Sequence, residues 1–493
     1  MLKQGIITDT KGSIVSDTWN SWPQTQAARF FRRDSMQEAG FDLYSDCSWG
    51  GRLAGPPVIL LSNLLQVTTN TLSETLPIPS TENQSPGFKS LPPRLQPDLS
   101  QVPLELRLVI SILAHGSQTE DSQFLDCKSA ETADWDVFLE WVERHKVGPQ
   151  VLAALSQRDE RLVPEHVVER LRRQCRQSAM ASLVLAARTV ELIDFLQGRG
   201  IRSLPVKGVC TAQQFYGAVE ARPPGDIDLI VAPEDAEHAD CLLRSLGYQC
   251  ADLTFEVTRL QKEKLLRWAH SMEYFHPNAR TRLDVHWRLF AYSSLLSIDF
   301  DTLWNQGEIV DLAGQKVRTL CPGHALLHSA AHGASHAWCH LIWLCDLAQF
   351  LRCNRIANWN AIVAEANRLG VIRHLAQGLV LAHALLGSSI PEQAVPCIVT
   401  QPVLGSLSAH SLTRLTSRSP DPESFSGSLR QILYLLKLSD RLRYKWEILT
   451  HVGLHPPDWK TVAVPDVLFP LYYILRPFIW LGRSSGRTKG NVP

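Results

Sequence analysis

The sequence predicts an α+β protein: a small mixed sheet with helices, flanked by N-terminal and C-terminal helical regions. Three observations lead there. Apolar residues recur at helical spacing before about residue 198 and again after about residue 320. Between those limits, short apolar runs punctuated by Gly and Pro read as strands, with a helix between some of them. Hydrophobic residues make up 45% of the chain and charged residues 20%, enough apolar material for buried cores and too much for a wholly disordered chain.

With 493 residues, roughly two or three domains on the order of 150 residues each are expected. Residues 1–100 read as a poorly ordered extension and linker. Their first part keeps no period, and Gln66 to Ser100 holds ten Ser/Thr and six Pro, a composition that buries too little to offset ordering entropy. Residues 101–198 form a helical region. Leu104, Leu106, Val109, Ile110 and Leu113 open it, Trp135, Phe138, Leu139 and Trp141 follow, and a long pattern from Pro164 to Leu196 stops at Gly198 and Gly200.

Residues 199–320 form the sheet-bearing core. Ile201 to Val206 is a strand, Lys207-Gly208 a turn, and Val209 to Tyr216 a helix start. Asp226 to Val231 is a second strand, and Pro233 opens a helix that Gly247 closes. Met272 to His276 and Arg282 to Leu289 flank Pro277-Asn278-Ala279 as an antiparallel hairpin. Residues 321–481 are a C-terminal helical domain, and 482–493 a basic, Gly/Ser-rich flexible tail.

Lys+Arg and Asp+Glu are both 49, a balance that argues against a dedicated nucleic-acid scaffold or a surface relying on anionic lipid. Eleven scattered cysteines without a C-x-x-C pair, and an N-terminus lacking an apolar run, point to a reduced, cytoplasmic protein. The most apolar stretch, Val462 to Leu481, is interrupted by Pro465, Asp466, Pro470, Arg476 and Pro477, so no transmembrane helix is expected; its aromatics, Tyr472 among them, are expected to dock on the body. Neither a Walker A sequence nor a G-x-G-x-x-G occurs, and the G-x-S-x-G match at Gly482 lies in a polar tail.

The chemistry concentrates in the strands. Alternation puts Asp226 and Asp228 on one face, and Asp284 with His286 on one face of the later strand. Two carboxylates that close repel each other unless a cation such as Mg²⁺ lies between them. Three carboxylates on neighbouring strands can hold two such ions about 3.5 to 4 Å apart for an in-line phosphoryl displacement. Lys207-Gly208 at a strand-to-helix turn and Arg222 just upstream of the aspartates suit polyphosphate, although singly either residue type is more often a solvated surface charge.

The order L-P-V-K-G, then R-P-P-G-D-I-D-L-I-V, then L-G-Y, then L-D-V-H-W resembles the uncharacterised nucleotidyltransferase family of the DNA polymerase beta superfamily, over about Leu104 to Leu481. The resemblance implies a mixed nucleotidyltransferase sheet, with Asp226 and Asp228 binding a pair of Mg²⁺ ions (Mn²⁺ as an alternative) and Asp284 serving the ion that activates the acceptor. It implies an NTP as substrate, Lys207, Gly208, Arg222 and Gly225 at the nucleotide, and NMP transfer to an acceptor that could be a protein, an RNA end, a sugar or a small metabolite. Where the superfamily has Gly-Ser or Gly-Gly at the triphosphate turn, this chain has Lys207-Gly208, which leaves a catalytically degenerate binding module as the alternative.

His324, His328, His332, His336 and His340 recur every four residues, a slowly drifting stripe on a continuous helix. An i, i+4 histidine pair can bind Zn²⁺ or Ni²⁺, which would support a metal-dependent phosphohydrolase, but H-E-x-x-H is absent and only Asp346 offers a carboxylate. A packing or substrate-facing stripe is favoured, with His286, His328 and His332 as the substrate-facing candidates.

Overall fold

The structure, a computed structural model, describes residues 91–114, 131–157, 163–252, 258–279, 281–418, 425–453, 465–469, 471–472 and 475. The expectations for residues 1–90 and 482–493 lie outside these. The N-terminal helices are α1 (Leu104–Leu113), α2 (Trp135–Arg144), α3 (Gly148–Ser156) and α4 (Glu165–Gln197). Asp134 caps α2 by accepting the Asp136 and Val137 N–H groups.

The sheet follows: β1 (Ser203–Pro205), β2 (Ile227–Val231), α5 (Ala236–Ser245), β3 (Gln249–Cys250), α6 (Arg259–Trp268), β4 (Ser271–His276) and β5 (Thr281–His286). Strand order is β1-β2-β5-β4-β3, with β2 and β5 parallel and the other pairs antiparallel. The mixed sheet is the one expected. β2, Ile-Asp-Leu-Ile-Val, is buried at all five positions, so it runs through the centre and neither face is open to water.

Sequence patterning missed several elements. α3 lies between two longer helices, and α6 begins with a Thr258–Gln261 capping box. After α7 (Phe300–Gln306), β6 (Glu308–Leu312) and β7 (Gln315–Thr319) form a separate hairpin about Ala313-Gly314, both at positive φ (51° and 78°). The Thr319 hydroxyl donates to the Pro205 carbonyl at 2.6 Å and ties this hairpin to β1.

The C-terminal helices are α8 (Pro322–Ser335), α9 (Leu341–Arg352), α10 (Trp359–Arg368), α11 (Ile372–Leu386), α12 (Val395–Val399), α13 (Leu404–Thr416), α14 (Phe425–Lys437) and α15 (Leu442–Gly453). They share one apolar core with the N-terminal helices and with Leu204, Val206 and Ile230 of the sheet region. Part of the segment read as linker belongs to that core: Leu91 and Leu95 are buried, and Arg94 donates to the Val399 carbonyl at 2.8 Å. Tyr472 is buried against Phe469, ring centroids 5.4 Å apart. Among the described residues no helix is long and apolar enough to cross a membrane.

Candidate functional site

Parallel pairing of β2 with β5 places Asp228 directly beside Asp284 and Ile230 beside His286. On the other edge of β5, β4 sets Glu273 opposite Asp284. A row of three carboxylates therefore crosses three strands. Glu273 escaped the sequence reading because its partnership depends on hairpin register, which alternation within one strand does not reveal.

Lys207 leaves β1 beside β2, and its Nζ lies 2.6 Å from Asp228 Oδ1. Gly208 permits the turn: its φ is +59°, and a Cβ there would sit 3.2 Å from the Asp226 carbonyl oxygen. His286 Nε2 is 3.0 Å from the same Asp228 oxygen. Burial opposes the charge on Asp228, but Lys207 and His286 outweigh it and hold the carboxyl below its ordinary range. An ionised carboxylate only accepts, so His286 donates through Nε2. Burial also opposes the Lys207 ammonium, and Asp228, with Asp226 and Asp284, keeps it protonated above its ordinary range.

Asp284 behaves in the opposite way. Burial, then the charges of Asp228 and Asp226, push its carboxyl up to about 7. At neutral pH it is poised between its two forms, because burial first and the neighbouring carboxylates second disfavour its charge.

The histidines form the wall beside this charge cluster. Burial depresses His270 and His332 well below the ordinary imidazole range, His328 to about 3 and His336 to about 4, with Lys207 adding to each shift. The wall is neutral at pH 7. The five-residue stripe is not one continuous helix, however. α8 ends at Ser335, His336 caps it, and Ala337 and Trp338 both take φ of +51°. His340 is the extended residue just before α9, yet His332, His336 and His340 still converge on the Trp343 ring, with centroids 5.2, 5.5 and 5.1 Å away.

Arg222, expected near polyphosphate, is half-buried and paired through Nε with Asp346, at 3.1 and 3.0 Å from its two oxygens. Asp346 is thus engaged by Arg222 rather than available to the histidine stripe. Gly225 and Asp226 lie exposed just before β2.

Among the described residues, the one group of three or more donors close enough to hold a single ion is Asp228, Asp284 and His286, all within 4.8 Å of one another. Two of the three expected carboxylates are brought together, His286 completes the group, and Asp226 stands outside it. Two carboxylate oxygens suit a divalent cation, His286 joins them only through a nitrogen that is not donating to Asp228, and a cation there would offset the charge that burial and the neighbouring carboxylates disfavour on Asp284.

A family model described as an uncharacterised nucleotidyltransferase matches residues 131–387, which include every residue of this cluster and its histidine wall. No curated protein and no solved structure matches the chain. Because the matched span is more than half of the 493 residues and carries the whole site, the chain belongs to the uncharacterised nucleotidyltransferase family.

Proposed function

We propose that the protein transfers an NMP from an NTP to an acceptor hydroxyl or similar group and releases pyrophosphate. The observation that carries this reading is the side-by-side placement of Asp228 and Asp284 on parallel strands, with the Lys207 ammonium at the same carboxylate. Asp228, Asp284 and His286 would hold divalent metal, with Asp226 completing the set when nucleotide is bound. Mg²⁺ is the expected ion and Mn²⁺, more tolerant of an imidazole ligand, the alternative. When bound, such ions neutralise phosphate charge and activate the acceptor oxygen.

The chain's own groups do the rest. Lys207, Gly208, Arg222 and Gly225 receive the nucleotide. His328 and His332 line the approach as neutral rings that carry no charge to compete for phosphate. Asp284 would take part as the carboxylate, its proton released to solvent. The acceptor oxygen bonds to the α-phosphorus, the bond to the bridging oxygen breaks, and the acceptor proton passes to the site or to solvent.

Incubation with each α-labelled NTP, Mg²⁺ or Mn²⁺ and a cell extract tests the reading: label should transfer to one class of acceptor. Asp284→Asn should cut the single-turnover rate about a thousandfold, about 4 kcal/mol, while sparing nucleotide binding. Asp228→Asn should abolish metal-dependent binding as well. Normal turnover by either variant refutes the reading.

A second reading, a binding module without turnover, is favoured by one observation: the Lys207 ammonium already neutralises Asp228 at 2.6 Å. Nucleotide binding of equal strength in EDTA and in Mg²⁺, with no label transferred, would establish it. A phosphohydrolase centred on the histidine stripe has no comparable support, since the stripe gathers no three donors among the described residues.

A further inference from the structure

Helix α15 is apolar on two opposite faces. Tyr444 and Ile448 point inward and are buried. The Tyr444 hydroxyl donates to the Leu435 carbonyl of α14 at 3.0 Å, so the two helices, joined by residues 438–441, pack as a pair. Leu442, Trp446 and Leu449 recur at i, i+4 and i+7 on the other side and are 82%, 67% and 52% exposed. On α14 the exposed pair is Leu429 and Leu433, again four residues apart. A surface helix normally buries its one apolar stripe and turns polar residues outward, and a single exposed leucine needs no explanation. Five large apolar side chains in two stripes on a packed helix pair do.

Charge identifies the kind of partner that fits. The whole chain is balanced at 49 basic and 49 acidic residues, but α14 and α15 carry Arg430, Lys437, Arg443 and Lys445 against one acid, Glu447. That acid is turned inward: its carboxylate accepts from the Ser293 hydroxyl at 2.7 Å and from the Ser294 N–H at 3.1 Å. Arg430, Lys437 and Arg443 are exposed. At about 100° per residue, Lys445 and Arg443 fall on either side of the Leu442–Trp446–Leu449 stripe. Leucines and a tryptophan flanked by lysine and arginine suit a helix lying in the headgroup layer of an anionic bilayer, where the indole sits at the water boundary and the cations meet phosphate. A protein groove that wraps a basic amphipathic helix needs that helix clear of its own fold. α15 is anchored by Tyr444 and Ile448 and can be approached from outside only, as a lipid surface approaches it.

We propose that α14 and α15 form a docking surface for an anionic phospholipid bilayer, with Leu442, Trp446 and Leu449 entering the headgroup layer and Arg430, Lys437, Arg443 and Lys445 facing phosphate. The contact is peripheral, and it does not depend on nucleotidyl transfer.

Co-sedimentation of the full chain with lipid vesicles tests this. Phosphatidylcholine vesicles containing about a third phosphatidylserine should bind the protein at least tenfold more strongly than phosphatidylcholine alone at low salt, and added salt should narrow the gap. Trp446→Ser/Leu449→Ser should melt as wild type does, since both side chains are exposed, and should lose at least tenfold in binding to the anionic vesicles. Lys437→Glu/Lys445→Glu should bind the two vesicle types alike. Wild-type binding by the serine variant, or equal binding of wild type to both vesicle types, overturns the proposal. So does a protein that ignores vesicles altogether. In that case a lipid-free dimer that the serine variant returns to monomer assigns the face to a second copy, and a monomer assigns it to a protein partner or to another part of the chain.

Discussion

A single oxygen of Asp228 accepts from both Lys207 and His286, so each partner supports a buried charge that would be costly alone. Lys207→Met should therefore destabilise the metal-free protein by about 3–5 kcal/mol, with added Mg²⁺ or Mn²⁺ restoring part of the loss. Chemical denaturation in EDTA and in metal measures this, and an unchanged midpoint in EDTA would show that the pair contributes nothing. Asp284 has the opposite sign. Its folded carboxyl titrates at about 7, above the unfolded value of about 4, so the native state binds the extra proton between those limits. Stability from this group is present at low pH and lost as pH rises through 7. In EDTA the stability advantage of Asp284→Asn over wild type should grow from about pH 4 to about pH 7 and then level off. A difference that shrank over that range would contradict burial and carboxylate repulsion as the cause of the raised value. Strand alternation made Asp228, Asp284 and His286 legible in the sequence. The Lys207–Asp228 contact was not, because the order of residues does not say that β1 and β2 are neighbours.

Among the helices, the histidine periodicity was legible and its interruption was not. Neither Gly nor Pro follows Ser335 at once. The helix stops because Ala337 and Trp338 take a left-handed backbone, which L-residues rarely adopt. What compensates is tertiary: the buried Trp338 indole rests on Gly333 of the same helix and Gly378 of α11, where added Cβ atoms would come within 2.4 and 2.8 Å of the ring. Gly333→Ala should destabilise by about 1–3 kcal/mol through overpacking, read as a lower urea midpoint. It should also weaken nucleotide binding, since the displaced turn carries His336 away from His332 and Trp343. Full stability in that variant would mean that Trp338 can repack. The β6–β7 hairpin was missed for a related reason: Ala-Gly is a weaker hairpin signal than Asn-Gly, although both residues are at positive φ.

Taken whole, the chain was expected to divide near residue 100, and the helical regions were placed in separate segments. Composition marks a Ser/Thr/Pro-rich stretch but cannot show that its last ten residues reach the core, where Leu91 and Leu95 are buried and a Cβ on Gly405 would meet the Arg94 carbonyl oxygen at 2.6 Å. A chain of residues 91–493 should melt cooperatively. One of 101–493 should be less stable, each lost leucine contributing about 1.5–3 kcal/mol. Differential scanning calorimetry of the two compares them directly, and equal melting would place the boundary at 100 after all.

The Arg94–Val399 hydrogen bond joins residues 305 positions apart, and α1 packs on α11 across a similar separation. At about 5–20 residues added per second, the ribosome needs about 15–60 s to make the second half of that contact after the first. During that interval the apolar faces of Leu106, Val109 and Leu113 have no C-terminal helix to cover them. The newborn chain thus has a waiting period set by topology rather than by stability, in which chaperones and aggregation compete for the same surface.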